Sequence, residues 1–245
     1  MRIVGTLSTS PSRIVHLPQL LEALWSQTLL PDAVYLNLPE RFRNAESYII
    51  PDALLAEPRL TILRPPEDFG PVMKILPTLE VETDPDTLLI TLDDDVIYPP
   101  DMIAALHAAA EANPEAAFGG KGFDFTEDLQ HVLQIRGDRV PCHVLQGYGA
   151  CAYRRRHLDR ARLEQTLAGQ PEAFRSSDDV LLSNHLASNG VARFTVELSA
   201  HLQHMAWGDE DPASLKYVDG GTHQRYGRMR AWLKAQGGWF IEPSD

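Results

Sequence analysis

Three adjacent carboxylates, Asp93-Asp94-Asp95, end the apolar run Leu88-Leu89-Ile90-Thr91-Leu92. Like charges that close repel, and partial burial raises the cost. A divalent cation relieves it. Carboxylate oxygens are the preferred ligands of Mg2+ and Mn2+, which keep positions open for substrate phosphates. If the backbone stays extended through the triplet, Asp93 and Asp95 point to the same side and can hold such an ion directly or through water. A second acidic pair, Asp178-Asp179, follows Ser176-Ser177. Ser176 and Asp179 have the spacing of a capping box, and one acid of the pair can cap while the other faces a cleft. A carboxylate there can take the proton of a hydroxyl within hydrogen-bond reach. Asp178 and Asp179 both stand as that base.

Other groups surround these acids in the sequence. Lys74 follows Asp68-Phe69-Gly70-Pro71. It is expected in the first turn of a helix, where ammonium and helix N-terminus together suit a diphosphate. Arg13, after the first apolar run, faces the same edge. His201 and His204 stand three apart, and Gln146-Gly147-Tyr148-Gly149-Ala150 reads as a glycine-containing turn. Arg154-Arg155-Arg156-His157, with Arg160 and Arg162, forms the one basic cluster. It reads as a solvated helix face, with an anionic acceptor or a membrane surface as the alternatives. Gly119-Gly120-Lys121-Gly122 lacks the earlier glycine and the Ser/Thr of a phosphate-binding P-loop.

The elements that must position these residues alternate. Arg2 to Leu7, Ala33 to Leu38, Leu60 to Leu63 and Thr87 to Leu92 read as strands. Leu17, Leu20, Leu21, Leu24 and Trp25 recur at helical spacing, and Pro71 to Glu80 reads as a helix with Pro77 as an irregularity. Thr87 to Leu92 is nearly all apolar, which predicts a central strand covered on both faces. The β-α-β rhythm predicts a mostly parallel sheet with helices on its faces, and ligands at the carboxyl ends of its strands. The turns after the first and fourth strands are then the place for chemistry. Further helices are predicted over Ile103 to Ala112, Leu158 to Leu167, Asp178 to Ala187 and near Arg228 to Ala235, with a last strand over Ala192 to Val196.

With these pieces in order, the chain resembles the GT-A glycosyltransferases, especially family-2-like members. The apolar run into Asp93-Asp94-Asp95 looks like their DxD motif. Gly5-Thr6-Leu7-Ser8-Thr9-Ser10-Pro11-Ser12-Arg13 with the helix after it is similar to their nucleotide-binding first unit. Ser177-Asp178-Asp179-Val180-Leu181-Leu182 is similar to the acidic pair that supplies the base. The resemblance covers roughly residues 2 to 190. It implies an α/β, Rossmann-like GT-A domain, with a mostly parallel central sheet flanked by helices. It implies transfer of a hexosyl-type sugar from a nucleotide diphosphate-sugar to a glycan or other hydroxyl acceptor, with inversion. It implies Mn2+ or Mg2+ on Asp93 and Asp95, with His204, or else His201, as a further metal ligand. Thr6, Ser8, Arg13, Lys74 and Asp94 would contact the sugar-nucleotide, and Asp179, with Asp178 as alternative, would be the base. A loop similar to Gln146–Ala150 lines the acceptor and sugar pocket in that family. Two rivals remain open. One is a nucleotidyltransferase, although Gly5 is the only glycine near the first loop. The other is a non-catalytic nucleotide-sugar-binding module.

Composition sets the outer bounds. The chain has 245 residues, with 22 Lys and Arg against 34 Asp and Glu, for a net charge of −12. That balance argues against a nucleic-acid binder, whose affinity comes from neutralising phosphates. A hydrophobic fraction of 44% with 23% charged residues is ordinary globular usage and excludes a disordered chain. No internal repeat or linker is visible, so residues 1–245 are expected to form one domain, with the nucleotide part at about 1–98 and the acceptor part at about 99–245. Cys142 and Cys151 are expected as free thiols. No apolar run reaches the roughly 18 residues of a membrane span, and the chain is expected to be cytoplasmic.

Overall fold

A computed structural model describes residues 1–42, 47–126, 132–171, 177–210 and 222–241. The first half alternates strands and helices: β1 Ile3–Ser8, α1 Leu17–Trp25, β2 Ala33–Asn37, α2 Asp52–Leu55, β3 Leu60–Leu63, α3 Thr78–Val81, β4 Leu88–Thr91, β5 Val96–Ile97 and α4 Met102–Ala112. The second half contains β6 Ala116–Gly119, β7 Gly122–Phe125, β8 Val132–Ile135, β9 Val144–Leu145, β10 Cys151–Arg154, α5 Arg160–Gly169, α6 Asp178–Ser188, β11 Ala192–Thr195, β12 Gln203–His204, α7 Ala206–Glu210 and α8 Thr222–Ala235.

The main sheet runs β11-β6-β10-β4-β1-β2-β3. β1 is parallel to both β2 and β4, β2 to β3, and β6 to β11, while β10 is antiparallel to both its neighbours. The chain leaves β1 in one direction through β2 and β3, then returns to place β4 on the other side. The carboxyl ends of β1 and β4 therefore flank a topological switch point, where α/β sheets form their ligand crevice. β7 pairs with β8 and β9 in a small antiparallel sheet, and β12 pairs with β5.

Alternation along the strands builds two cores. Ile3, Leu7, Leu88 and Ile90 face α1 and α4, whose Leu17, Leu20, Leu21, Leu24, Met102, Ile103 and Leu106 are buried. Val4 and Leu89 face the opposite side, against Ile75, Leu76, Leu79 and the buried residues of α5, α6 and α8. Every residue of β4 is buried, as its unbroken apolar pattern predicts. Both cysteines are buried and free. Among the described residues no helix is long and apolar enough to cross a membrane.

Two expectations change. The helix over Pro71 to Glu80 splits into a tight 3-10 turn, Gly70–Lys74, and the short α3. Pro77 has no N–H to give and clashes with a continuing helix. Lys74 therefore ends the first piece instead of starting a helix. The terminal helix begins at Thr222, six residues before its expected start near Arg228.

Leu89 lies at the centre of the second core with no exposure. Leu89→Ala should lower unfolding free energy by about 2–5 kcal/mol, read by urea titration. A loss below about 1 kcal/mol would contradict a close-packed site there.

Candidate active site

The switch point gathers the acidic residues around two cations. Lys74, 8% exposed, points its Nζ at Asp93 Oδ1 (2.6 Å) and lies 3.1 Å from Asp178 Oδ2. The second contact is an ion pair without hydrogen-bond alignment, since Asp178 Oδ2 has no hydrogen-bond partner. Burial alone would lower the Lys74 pKa, but Asp178, Asp93 and Asp179 together raise it well above the usual lysine value. The ammonium stays charged.

The backbone at Lys74 is fixed from below. Thr6 Oγ1 donates to the Lys74 carbonyl at 2.5 Å and touches Thr78 Oγ1 at 2.7 Å. Asn37 Nδ2 donates to Thr6 Oγ1 and to the same carbonyl. Thr6 is fully buried, so it supports Lys74 and does not meet a ligand, contrary to the expectation of sugar-nucleotide contact. Ser8 ends β1 half-buried, beside the crevice.

Arg13 compensates the rest of the triplet. Its Nη1 donates to Asp94 Oδ1 at 2.9 Å and to Asp95 Oδ2 at 3.3 Å, and Nη2 donates to the Gly208 carbonyl at 3.0 Å. Thr9 Oγ1 donates to Asp94 Oδ2 at 2.5 Å. The triplet is not extended: Asp94 and Asp95 form a turn before β5. Asp94 and Asp95 therefore share Arg13, while Asp93 goes to Lys74. The extended backbone expected through the triplet gives way to this turn. The Asp93 N–H donates to the buried Tyr98 hydroxyl at 2.9 Å, anchoring the turn.

α7 covers the far side. Met205 N–H donates to the Asp95 carbonyl, Trp207 Nε1 donates to the Asp94 carbonyl, and Trp207 stacks on His16. Gly208 approaches the Asp95 carboxylate so closely that any side chain would overlap it.

Asp179 sits at the start of α6, where the helix dipole favours an anion. Its Oδ1 accepts the Gly147 N–H at 2.8 Å, and its Oδ2 accepts the Tyr226 hydroxyl at 2.6 Å. These bonds take the place of a capping role. The N-cap is Ser177, with no side-chain cap bond, and Ser176 lies outside the described residues. Burial, then the Asp178 charge, push Asp179 up to about 7. Burial and the charges of Asp93 and Asp94 push Asp95 up to about 7 as well.

The donor set suits a hard divalent cation. Asp93, Asp94, Asp95, Asp178 and Asp179 outnumber Lys74 and Arg13 by three, and Asp93 and Asp95 are each about a quarter exposed. Among the described residues no three His, Cys, Asp or Glu side chains converge to hold a metal alone. An ion here would complete its shell with water and substrate oxygens, which is how Mg2+ is usually held. His204 is exposed in β12, with its ring 5.1 Å from that of Tyr148, and is not part of such a group. The loop Trp207–Asp211 lies partly outside the described residues.

The basic cluster is engaged internally. Arg154 bonds Glu111 and the Ala110 carbonyl, Arg155 the carbonyls of Leu79, Glu82 and Leu158, Arg156 Glu115 and Asp86, and Arg160 Glu80 and Glu164. Arg154 and Arg155 are therefore structural, while Arg156 and Arg162 stay exposed, in keeping with a solvated face.

No family profile and no curated protein matches the chain. Solved structures do. Mannosyltransferase PcManGT of Pyrobaculum calidifontis, in complex with GDP-Man and Mn2+, is 15% identical, with a TM-score of 0.50 over 82% of this chain and 57% of that one. S. aureus TarS 1–349 is 16% identical, with a TM-score of 0.52 over 85% and 62%. The chain has a GT-A glycosyltransferase fold. It spans about 57% and 62% of the lengths of those two structures. The IspD cytidylyltransferase of Francisella tularensis is 13% identical, with a TM-score of 0.49 over 81% and 90%.

In this GT-A fold, sequence reasoning missed Asn37, Thr78, Tyr98 and Tyr226. Asn37 had a signal, a polar residue ending an alternating apolar strand. Tyr226 had none, being brought in by packing across 47 residues.

Two results should follow. An acid whose folded pKa is raised takes up protons on folding, so its contribution falls as pH rises from its unfolded pKa to its folded one. For Asp95 and Asp179 the window runs from 3.8 to about 7. Without divalent metal, Tm should be higher at the acid end of that window than above it. Asp95→Asn should flatten the slope and raise Tm at the upper end, and an unchanged slope would remove Asp95 as its source. Separately, Gly147→Ala puts a Cβ 3.0 Å from both Asp179 Oδ1 and Lys74 Nζ. It should displace the Asp179 carboxylate and lower Tm while circular dichroism stays native-like.

Proposed function

We propose that this protein transfers a sugar from a nucleotide diphosphate-sugar to an acceptor hydroxyl, with inversion and with Mn2+ or Mg2+. The observation that carries the reading is one cluster at the β1/β4 switch point. Asp179, pushed up to about 7 there, adjoins Asp178, which shares Lys74 with Asp93 of the triplet. The Mn2+ and GDP-Man of the Pyrobaculum mannosyltransferase complex agree with it.

Each residue then has a task. Lys74 keeps Asp93 and Asp178 ionised and in place. Arg13 would meet the donor diphosphate, with Ser8 and Asp94 contacting the donor beside it. Asp93 and Asp95 would hold the metal, which when bound supplies Lewis-acid stabilisation of the leaving diphosphate. Asp179 accepts the acceptor hydroxyl proton as its oxygen bonds to the anomeric carbon and the bond to the diphosphate oxygen breaks. A pKa near the working pH suits a general base. Two bonds to Asp179 still leave lone pairs for that hydroxyl. Against a nucleotidyltransferase, the segment between β1 and α1 contains no glycine to cradle phosphates.

A thermal-shift panel of nucleoside diphosphates should show one that stabilises the protein only with Mn2+, and Asp95→Ala should abolish that shift. Asp179→Asn should keep the shift and lower kcat by about 10²–10⁴-fold. A metal-independent shift that survives Asp95→Ala, or full turnover in Asp179→Asn, would overturn the assignment.

A further inference from the structure

Among the described residues, α8 carries a buried cation without a counter-charge. Arg230 is 8% exposed, and its Nε and Nη1 are buried with no hydrogen-bond partner. Among the described residues it makes no ion pair, and burial is the sole influence on its pKa, lowering it. Its guanidinium lies 4.9 Å from the Phe125 ring centre and 5.4 Å from that of Trp239. Ring faces stabilise the charge but offer no acceptor to the N–H edge. Asp124, next to Phe125, gives its Oδ1 to the backbone N–H of His143 at 2.7 Å.

The clamp is held in place. Asn184 of α6 donates to the Gly238 carbonyl at 2.7 Å and accepts the Phe240 N–H at 2.8 Å, fixing Trp239 between them. The site is also connected to the base. Tyr226, one helical turn before Arg230 and so on the same face, bonds Asp179. Its ring stacks on Phe123 at 4.9 Å, and Phe123 meets Phe125 edge-on at 5.3 Å.

A native chain rarely leaves buried guanidinium N–H groups unpaired, and a bound ion or ligand is one explanation. A guanidinium offers a planar fork suited to carboxylate or phosphate oxygens. We propose that Arg230 anchors an anionic group, phosphate or carboxylate, carried by the acceptor whose hydroxyl Asp179 deprotonates. This rests on the reading of Asp179 as the base. The carboxylates around Asp179 repel the anionic end of such an acceptor and Arg230 attracts it, so the molecule enters hydroxyl-first toward the base.

The test is arginine side-chain Nε–Hε NMR on the full chain, with Arg230 assigned by through-bond correlation and checked by its loss in Arg230→Lys. The probes are inorganic phosphate, glucose 6-phosphate and glucose. The Arg230 resonance should move saturably with both phosphates and stay still with glucose. Glucose 6-phosphate should reach half-saturation at about tenfold lower concentration than inorganic phosphate. No movement with either phosphate overturns the site. Equal half-saturation leaves a small-anion site and overturns the acceptor assignment. The Arg13 resonance, titrated with nucleoside diphosphate and Mn2+, reports on the donor reading independently, so failure of one is distinct from failure of the other.

Discussion

A buried ammonium shared by two carboxylates from distant parts of the chain organises this molecule. Lys74 joins Asp93, at the end of the central strand β4, to Asp178, at the start of α6. Removing one partner from a buried pair leaves an uncompensated charge and costs about 3–5 kcal/mol. β4 and α6 are therefore locked in register by electrostatics as well as by the core that Leu89 and Val180 share. The buried Thr6 and Asn37 hold the lysine backbone, with Thr78 bonded to both, so β1, β2 and α3 also converge on it. A 3-10 turn delivers the side chain at an angle that a straight helix through Pro77 would not reach.

The site is unbalanced around that fixed point. Lys74 and Arg13 leave the five acids in excess, and the excess falls on Asp95 and Asp179, both pushed up to about 7. The two are raised by burial together with like charge, yet their surroundings differ. Asp95 lies under α7 beside two other acids and Arg13, an environment for a cation. Asp179 is oriented by the Gly147 N–H and the Tyr226 hydroxyl, which fix the direction of its carboxylate. One fold thus gives two chemically identical side chains different surroundings.

The second core packs α6 and α8 over the sheet. Tyr226, Phe123, Phe125 and Trp239 form a continuous aromatic wall from Asp179 to Arg230. Phe123, Phe125 and Tyr226 are buried, with the Asp179 carboxylate bonded at one end and the Arg230 guanidinium packed at the other.

The sequence by itself determined the layered α/β architecture, the central position of β4 and the placement of two acidic groups at strand and helix ends. Those features are local: apolar period, strand length and the residues directly after a strand. It also singled out Lys74, Arg13 and Gly147, because unusual residue types at turns stand out. The tertiary structure alone decided which partner each charge takes. Asp94 and Asp95 share Arg13 because the chain turns between β4 and β5. Thr6 is buried beneath Lys74, and the arginines of 154–160 bind carbonyls and neighbouring acids. Tyr226 and Gly208 reach the site from 47 residues beyond Asp179 and 195 beyond Arg13. Such contacts depend on how α6, α7 and α8 pack over the sheet, and pairwise charge and hydrogen-bond energies are felt only at a few ångströms. Local pattern carries no record of those distances.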